Sequence, residues 1–207
     1  MDDMTIKEFS GQLRLVVPKA GSRPLVCDGS PLQCTTFIVG LNPATQGEFW
    51  PYWSDEEGFN KEQWFEDYKT ARRAKRKTTG KKSPEVSPTR RIISKVVEGA
   101  SPTRCLETNL FAMPTDSIAE LSEADRSTAP IELLLRAITP KVLLFHGSGH
   151  SHLRYIGIPD PPDENEFRLS STPFGQMYVG VVRHFSRGWS YEEAKELGLK
   201  LRAYSTR

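Results

Sequence analysis

Thr35-Thr36-Phe37-Ile38-Val39-Gly40-Leu41-Asn42-Pro43 is the stretch on which the fold is read. Residues 35–39 are β-branched or apolar, carry no charge and stop at a glycine, the pattern of a short strand buried on both faces. Three further strand candidates follow, at residues 106–111, 142–145 and 177–182. Helical patterns separate them. Over residues 61–76, Trp64, Phe65, Tyr68 and Ala71 share one face, with Asn60 as cap. Ser87-Pro88 opens a second helix with the stripe Ile92, Ile93, Val96 and Val97, and Gly99 is placed to end it. A third starts at Pro130 and stops before Pro140. In the last, Ser190 and Glu193 form a capping box ahead of Ala194, Leu197, Leu201 and Tyr204. Strands alternating with helices predict an α/β protein, a three-layer α/β/α arrangement around a central, mostly parallel four-stranded sheet.

At 207 residues the chain has the length of one domain, expected over 1–207. No apolar stretch approaches the ~18 residues of a spanning helix. The start, Met1-Asp2-Asp3-Met4, is acidic where a secretory signal is basic and then apolar. A cytoplasmic protein with no membrane partner is therefore expected. Cys27, Cys34 and Cys105 are widely spaced and lack a paired CxxC, which argues against a structural zinc site and against a four-cysteine iron–sulfur cluster. The formal net charge of +2 hides an acidic block, Asp55 to Asp67, followed by KTARRAKRKTTGKK at 69–82, with eight basic residues and no acidic one. Arg72, Arg73, Lys75, Arg76 and Lys77 are candidate phosphate contacts, since each neutralised phosphate releases counterions. The alternative is a solvated helix face running into a loop, so a basic, flexible segment is expected at about 69–87.

In parallel sheets the ligand sits outside the carboxyl ends of the strands. Four loops follow those ends: GLNPATQ, NLFAMPTD, HGSGHSH and HFSRGWS. Gly40-Leu41-Asn42-Pro43 resembles the first motif of the uracil-DNA glycosylase superfamily, in particular the mismatch-specific and single-strand-selective branches that carry Asn there. Asn109, at a strand end, resembles the base-reading asparagine, and His184-Phe185-Ser186 resembles the second motif, usually His-Pro-Ser. The three occur in the family's order, over about residues 35–204. Ala44 and Phe185 depart from the Gly and Pro usual at those places.

The resemblance implies a monofunctional DNA glycosylase that flips a damaged or modified pyrimidine out of DNA and hydrolyses its N-glycosidic bond, as a monomer and without metal or organic cofactor. Breaking C1′–N builds positive charge on the sugar and negative charge on the base. Asn42 would orient the water, and His184 would donate a neutral imidazole N–H to the base carbonyl. Asn109 offers both a donor and an acceptor to a base edge. Gly40 and Leu41 would line the base site, and Phe49 or Trp50, from an aromatic cluster shared with Tyr52 and Trp53, would stack on the base. Ser148, between Gly147 and Gly149, and Ser186 would hold phosphate. Arg187 and Trp189 would fill the gap left by the extruded nucleotide. His146, His150 and His152 form H-x-x-x-H-x-H, but no metal is expected from them, because DNA contacts account for polar residues there equally well. The rival readings are a non-catalytic nucleic-acid-binding protein with the same fold and a hydrolase acting on free nucleotides or nucleosides.

Overall fold

Strand β2 (Thr36–Gly40) is buried along its whole length in the computed structural model, which describes residues 4–17, 20–44, 47–79, 84–115 and 117–207. Parallel partners flank it on both sides, β5 (Cys105–Asn109) and β6 (Val142–His146), and β8 (Gly175–Val182) runs parallel to β6. These are the strands anticipated from the sequence. Two more, β1 (Leu25–Val26) and β7 (Phe167–Thr172), pair antiparallel at the two edges and correct the expected count from four to six. The sheet order is β1-β5-β2-β6-β8-β7. The edges escape pattern reading for a physical reason: β1 has only two residues, and β7 packs on one neighbour alone, so FRLSST needs no apolar run. A small hairpin, β3 (Trp53–Ser54) with β4 (Gly58–Phe59), stands apart from the main sheet.

Side chains alternate across each strand, and the two faces carry separate cores. Phe37, Val39, Leu143 and Phe145 pack with Phe9 and Leu13 of α1 (Ile6–Val16) and Leu134 and Leu135 of α4 (Ala129–Ile138). Ile38, Val142 and Leu144 face the other way, onto Ile93 and Val96 of α3 (Pro88–Ala100) and Leu197 and Leu201 of α5 (Tyr191–Ser205). Helix α1, not anticipated from the sequence, starts at a capping box between Thr5 and Glu8. Ser87 caps α3 by accepting from the Arg90 N–H, and Ser190 and Glu193 form the expected box on α5.

Gly99 does not end α3, which runs to Ala100. It lies instead where α3 meets α5: a Cβ on Gly99 would collide with the Lys195 backbone, and one on Gly198 with that of Val96. Helix α2 (Lys61–Thr79) is longer than expected, with Asn60 Oδ1 accepting from the Gln63 N–H at 3.0 Å at its start. Most of the basic run therefore rides on a helix rather than in a loop, since Lys and Arg are good helix formers; residues 80–83 lie outside the described residues.

Candidate active site

Register sets the floor of the site. Gly40 ends β2 opposite Asn109, the pairing of Val39 with Phe145 puts Gly40 beside His146, and His146 pairs with Val182. Asn109, Gly40 and His146 thus form a row at the carboxyl ends of three adjacent strands, on the face that carries α3. Glycine is required in the middle of that row. A Cβ on Gly40 would lie 2.7 Å from Asn109 Oδ1 and 3.2 Å from His146 Nε2. Above the row opens a cleft of about 1060 Å³.

The pairing of β2 with β5 continues past the strand ends and carries the next loop. Leu110 N–H donates to Gly40 O (2.9 Å), Phe111 N–H to Leu41 O (3.0 Å) and Thr115 N–H to Pro43 O (3.0 Å). Within that frame the Asn42 amide nitrogen reaches Thr115 O at 3.0 Å and Thr115 Oγ1 at 2.8 Å. The Thr115 hydroxyl spends its own proton on Ser117 O at 2.8 Å, so it can only accept from Asn42. Both contacts demand the NH₂ end of the amide. Oδ1 of Asn42 is left as an acceptor in the cleft, with no partner among the described residues.

His184 enters from the loop after β8. The Ser186 N–H donates to His184 Nδ1 at 3.2 Å, and Ser186 Oγ lies 2.7 Å from the same atom. A backbone N–H can only donate, so Nδ1 is an acceptor and the neutral ring carries its proton on Nε2. Burial, and then the Arg187 charge, lower the His184 pKa and favour that neutral form. Beside it lies His146, which the sequence raised only as a metal ligand, a role not expected of it. It is 7% exposed, and its pKa is pushed down to about 3, first by burial and then by His184 and Arg90. Its ring stacks on Phe185 at 4.4 Å, and its buried Nδ1 has no hydrogen-bond partner among the described residues. No group of three or more His, Cys, Asp or Glu that could hold a metal occurs among the described residues.

No protein-family model matches this chain, and no curated protein matches it.

The structure sorts the expected site residues. Gly40, Leu41, Asn42, Asn109, Ser148 and His184 all line the cleft. The Asn109 amide makes no side-chain hydrogen bond with the described residues and is open to a ligand. Helix α2 forms a wall, with Tyr68, Ala71, Arg72 and Lys75 at helical spacing on the cleft side. Arg73, Arg76 and Lys77 are exposed on its other sides, Arg73 paired with Glu85. Phe49 and Trp50 do not reach the cleft. Phe49 is 2% exposed and stacks on Phe59 at 5.4 Å, and Trp50 lies under Arg14 at 4.1 Å, because the turn at Trp50–Tyr52 folds these rings onto α1 and the β3–β4 hairpin. Trp189 packs edge-on against Phe185 at 5.4 Å and under Arg183 at 4.5 Å, behind the site, while Ser186 and Arg187 are exposed beside it.

Sequence reasoning missed His146, Tyr68 and a charged group at the far end of the cleft. There Glu107, 5% exposed, pairs with Lys61 at 3.0 Å and with Arg90. Burial alone would raise its pKa, but Arg90 and Lys61 override that and hold it at about 2. Arg23 completes the group, its pKa pulled down to about 10 by burial and by the like charge of Arg90. The available signal was a charged residue within a strand otherwise buried.

Proposed function

We propose that this protein is a monofunctional DNA glycosylase, which accepts a damaged or modified pyrimidine flipped from DNA into the cleft and hydrolyses its N-glycosidic bond. The reading rests on one arrangement above all: two neutral side chains of fixed polarity in one cleft, an Asn42 acceptor and a His184 Nε2–H donor, separated by the width of β6. As the C1′–N bond breaks, its electron pair leaves with the base, and His184 Nε2–H stabilises the charge growing on the base carbonyl. Water oriented by Asn42 Oδ1 then bonds to C1′ and releases its proton to solvent. An amide is too weak a base to deprotonate that water early, so the reaction is dissociative. Asn109 reads the base edge with donor and acceptor together. With Phe49 in the core, Tyr68, on the cleft wall, is the aromatic ring that would lie along the base. Water is the nucleophile, and the proposed reaction calls for no metal or organic cofactor. The exposed basic side of α2 would track the strand, the protein acting as a monomer in the cytoplasm, on a three-layer α/β/α scaffold of the glycosylase type.

The test is incubation with single- and double-stranded oligonucleotides carrying uracil, mismatched thymine or modified cytosines, followed by alkali, which cuts wherever a base is lost. Cleavage at one lesion, abolished by Asn42→Ala and by His184→Ala with DNA binding largely kept, is the expected result. Strand binding without base release from any oligonucleotide would instead favour a non-catalytic binding protein.

A further inference from the structure

The proposed reaction leaves one end of the cleft without a task. Glu107 lies two residues before Asn109 on the same face of β5, with Lys61 and Arg90 both paired to it. Arg23 reaches this end by topology: β1 runs antiparallel to β5, so the residues preceding β1 come back over the carboxyl end, where the Arg23 N–H bonds Ala112 O at 2.9 Å. Trp64 packs against both guanidinium groups, Arg90 at 4.9 Å and Arg23 at 5.9 Å from its ring centre. Three cations therefore surround one carboxylate. Glu107 is satisfied by Lys61 and Arg90, whereas the Arg23 guanidinium lines the cleft with no hydrogen-bond acceptor or ion-pair partner among the described residues. Arg23 shares the single Glu107 carboxylate with Lys61 and Arg90, which leaves the group with excess positive charge, and the planar fork of arginine matches carboxylate and phosphate oxygens. Space is available too, since 1060 Å³ is far more than one pyrimidine ring fills.

We propose that Arg23, with Arg90 beside it, is an oxyanion subsite that takes a carboxylate or phosphate carried by the substrate. This rests on the cleft being the substrate site of the proposed glycosylase and narrows the substrate class. The oxyanion has two possible sources, an acidic substituent on the base ring or a phosphate of the strand.

Fluorescence anisotropy with labelled single-stranded oligonucleotides separates them, comparing a strand with one 5-carboxyuracil against the same strand with thymine, of similar size but uncharged. If the anion is on the base, the protein binds the carboxyl strand at least tenfold more tightly. Arg23→Gln then removes most of that preference and leaves thymine-strand binding unchanged. If the anion is a backbone phosphate, Arg23→Gln weakens both strands alike and lowers the salt slope by about one. No effect of Arg23→Gln on either strand overturns the subsite. Should Arg23→Gln fail to fold in a thermal melt, Arg23→Lys carries the comparison: it keeps the charge but loses the fork, so a several-fold loss is expected and unchanged binding overturns the proposal. The readout is binding, so absence of base release from every strand would overturn the glycosylase reading and leave this result standing.

Discussion

Thr115, in the NLFAMPTD loop but not among the expected site residues, decides which end of the Asn42 amide faces the cleft. Its carbonyl and its hydroxyl both take the amide NH₂, and Ser117 O takes the hydroxyl proton. Thr115→Val removes one acceptor and loosens the other, so in the proposed reaction Oδ1 would no longer hold the water in place; misplacement of this kind costs on the order of 10²-fold. Base release by Thr115→Val is expected to fall by roughly that factor in kcat with KM little changed, and Thr115→Ser to restore it, in single-turnover assays on whichever lesion proves to be the substrate. The asparagine itself was legible, because Gly-Leu-Asn-Pro directly follows a buried strand. Thr115 was not, since its role depends on β2 and β5 lying side by side beyond their last residues.

Helices α3 and α5 approach backbone to backbone at Gly99 and Gly198. Alanine at Gly198 would gain about 1 kcal/mol of helix propensity but would force the helices apart, an overpacking cost of typically 1–3 kcal/mol. Gly198→Ala is therefore expected to lower the urea midpoint, with the rate per folded molecule unchanged; a raised midpoint would show that the crossing relaxes freely. Helix α2 carries a separate expectation. If its exposed side tracks phosphates, replacing Arg76 and Lys77 together by Gln should reduce the slope of log K against log salt by about two and weaken binding to all sequences alike. The apolar face of this helix was readable from Trp64, Phe65, Tyr68 and Ala71. Which of its cations turn toward the cleft was decided by packing: Tyr68 accepts the Ser87 N–H at 3.1 Å, and Arg72 donates to Pro84 O at 3.0 Å, on the chain that leads into α3.

The whole molecule should lose stability toward acid through two buried groups. Glu107 is held at about 2 against an ordinary 4.5, so its contribution is complete above 4.5 and disappears as pH falls through 2. His146 is held at about 3 against 6.5; below 6.5 the unfolded chain takes up a proton that the folded one refuses, and stability falls until about 3. Urea midpoints measured from pH 7 to 3 should decline throughout, and His146→Phe, which keeps a ring against Phe185, should flatten the part between 6.5 and 4.5. Glu107→Gln should cost about 3–5 kcal/mol at pH 7, since it leaves Lys61 and Arg90 without a counter-charge.

Local pattern determined the four parallel strands, the start of α3, the α5 capping box and the loops at the carboxyl ends, because burial on both faces and helix capping are written in adjacent residues. It also placed Asn42, Asn109 and His184 on those loops. Tertiary structure alone decided the rest. Phe49 and Trp50 read as a stacking surface until β3, β4 and α1 supplied a core to bury them in. His146 and Arg23 became cleft residues only through strand order and the reversed course of β1, which join positions distant in the chain. Sequence spacing records what a residue needs from its neighbours along the chain, and the partners of a buried charge come from other elements of the fold.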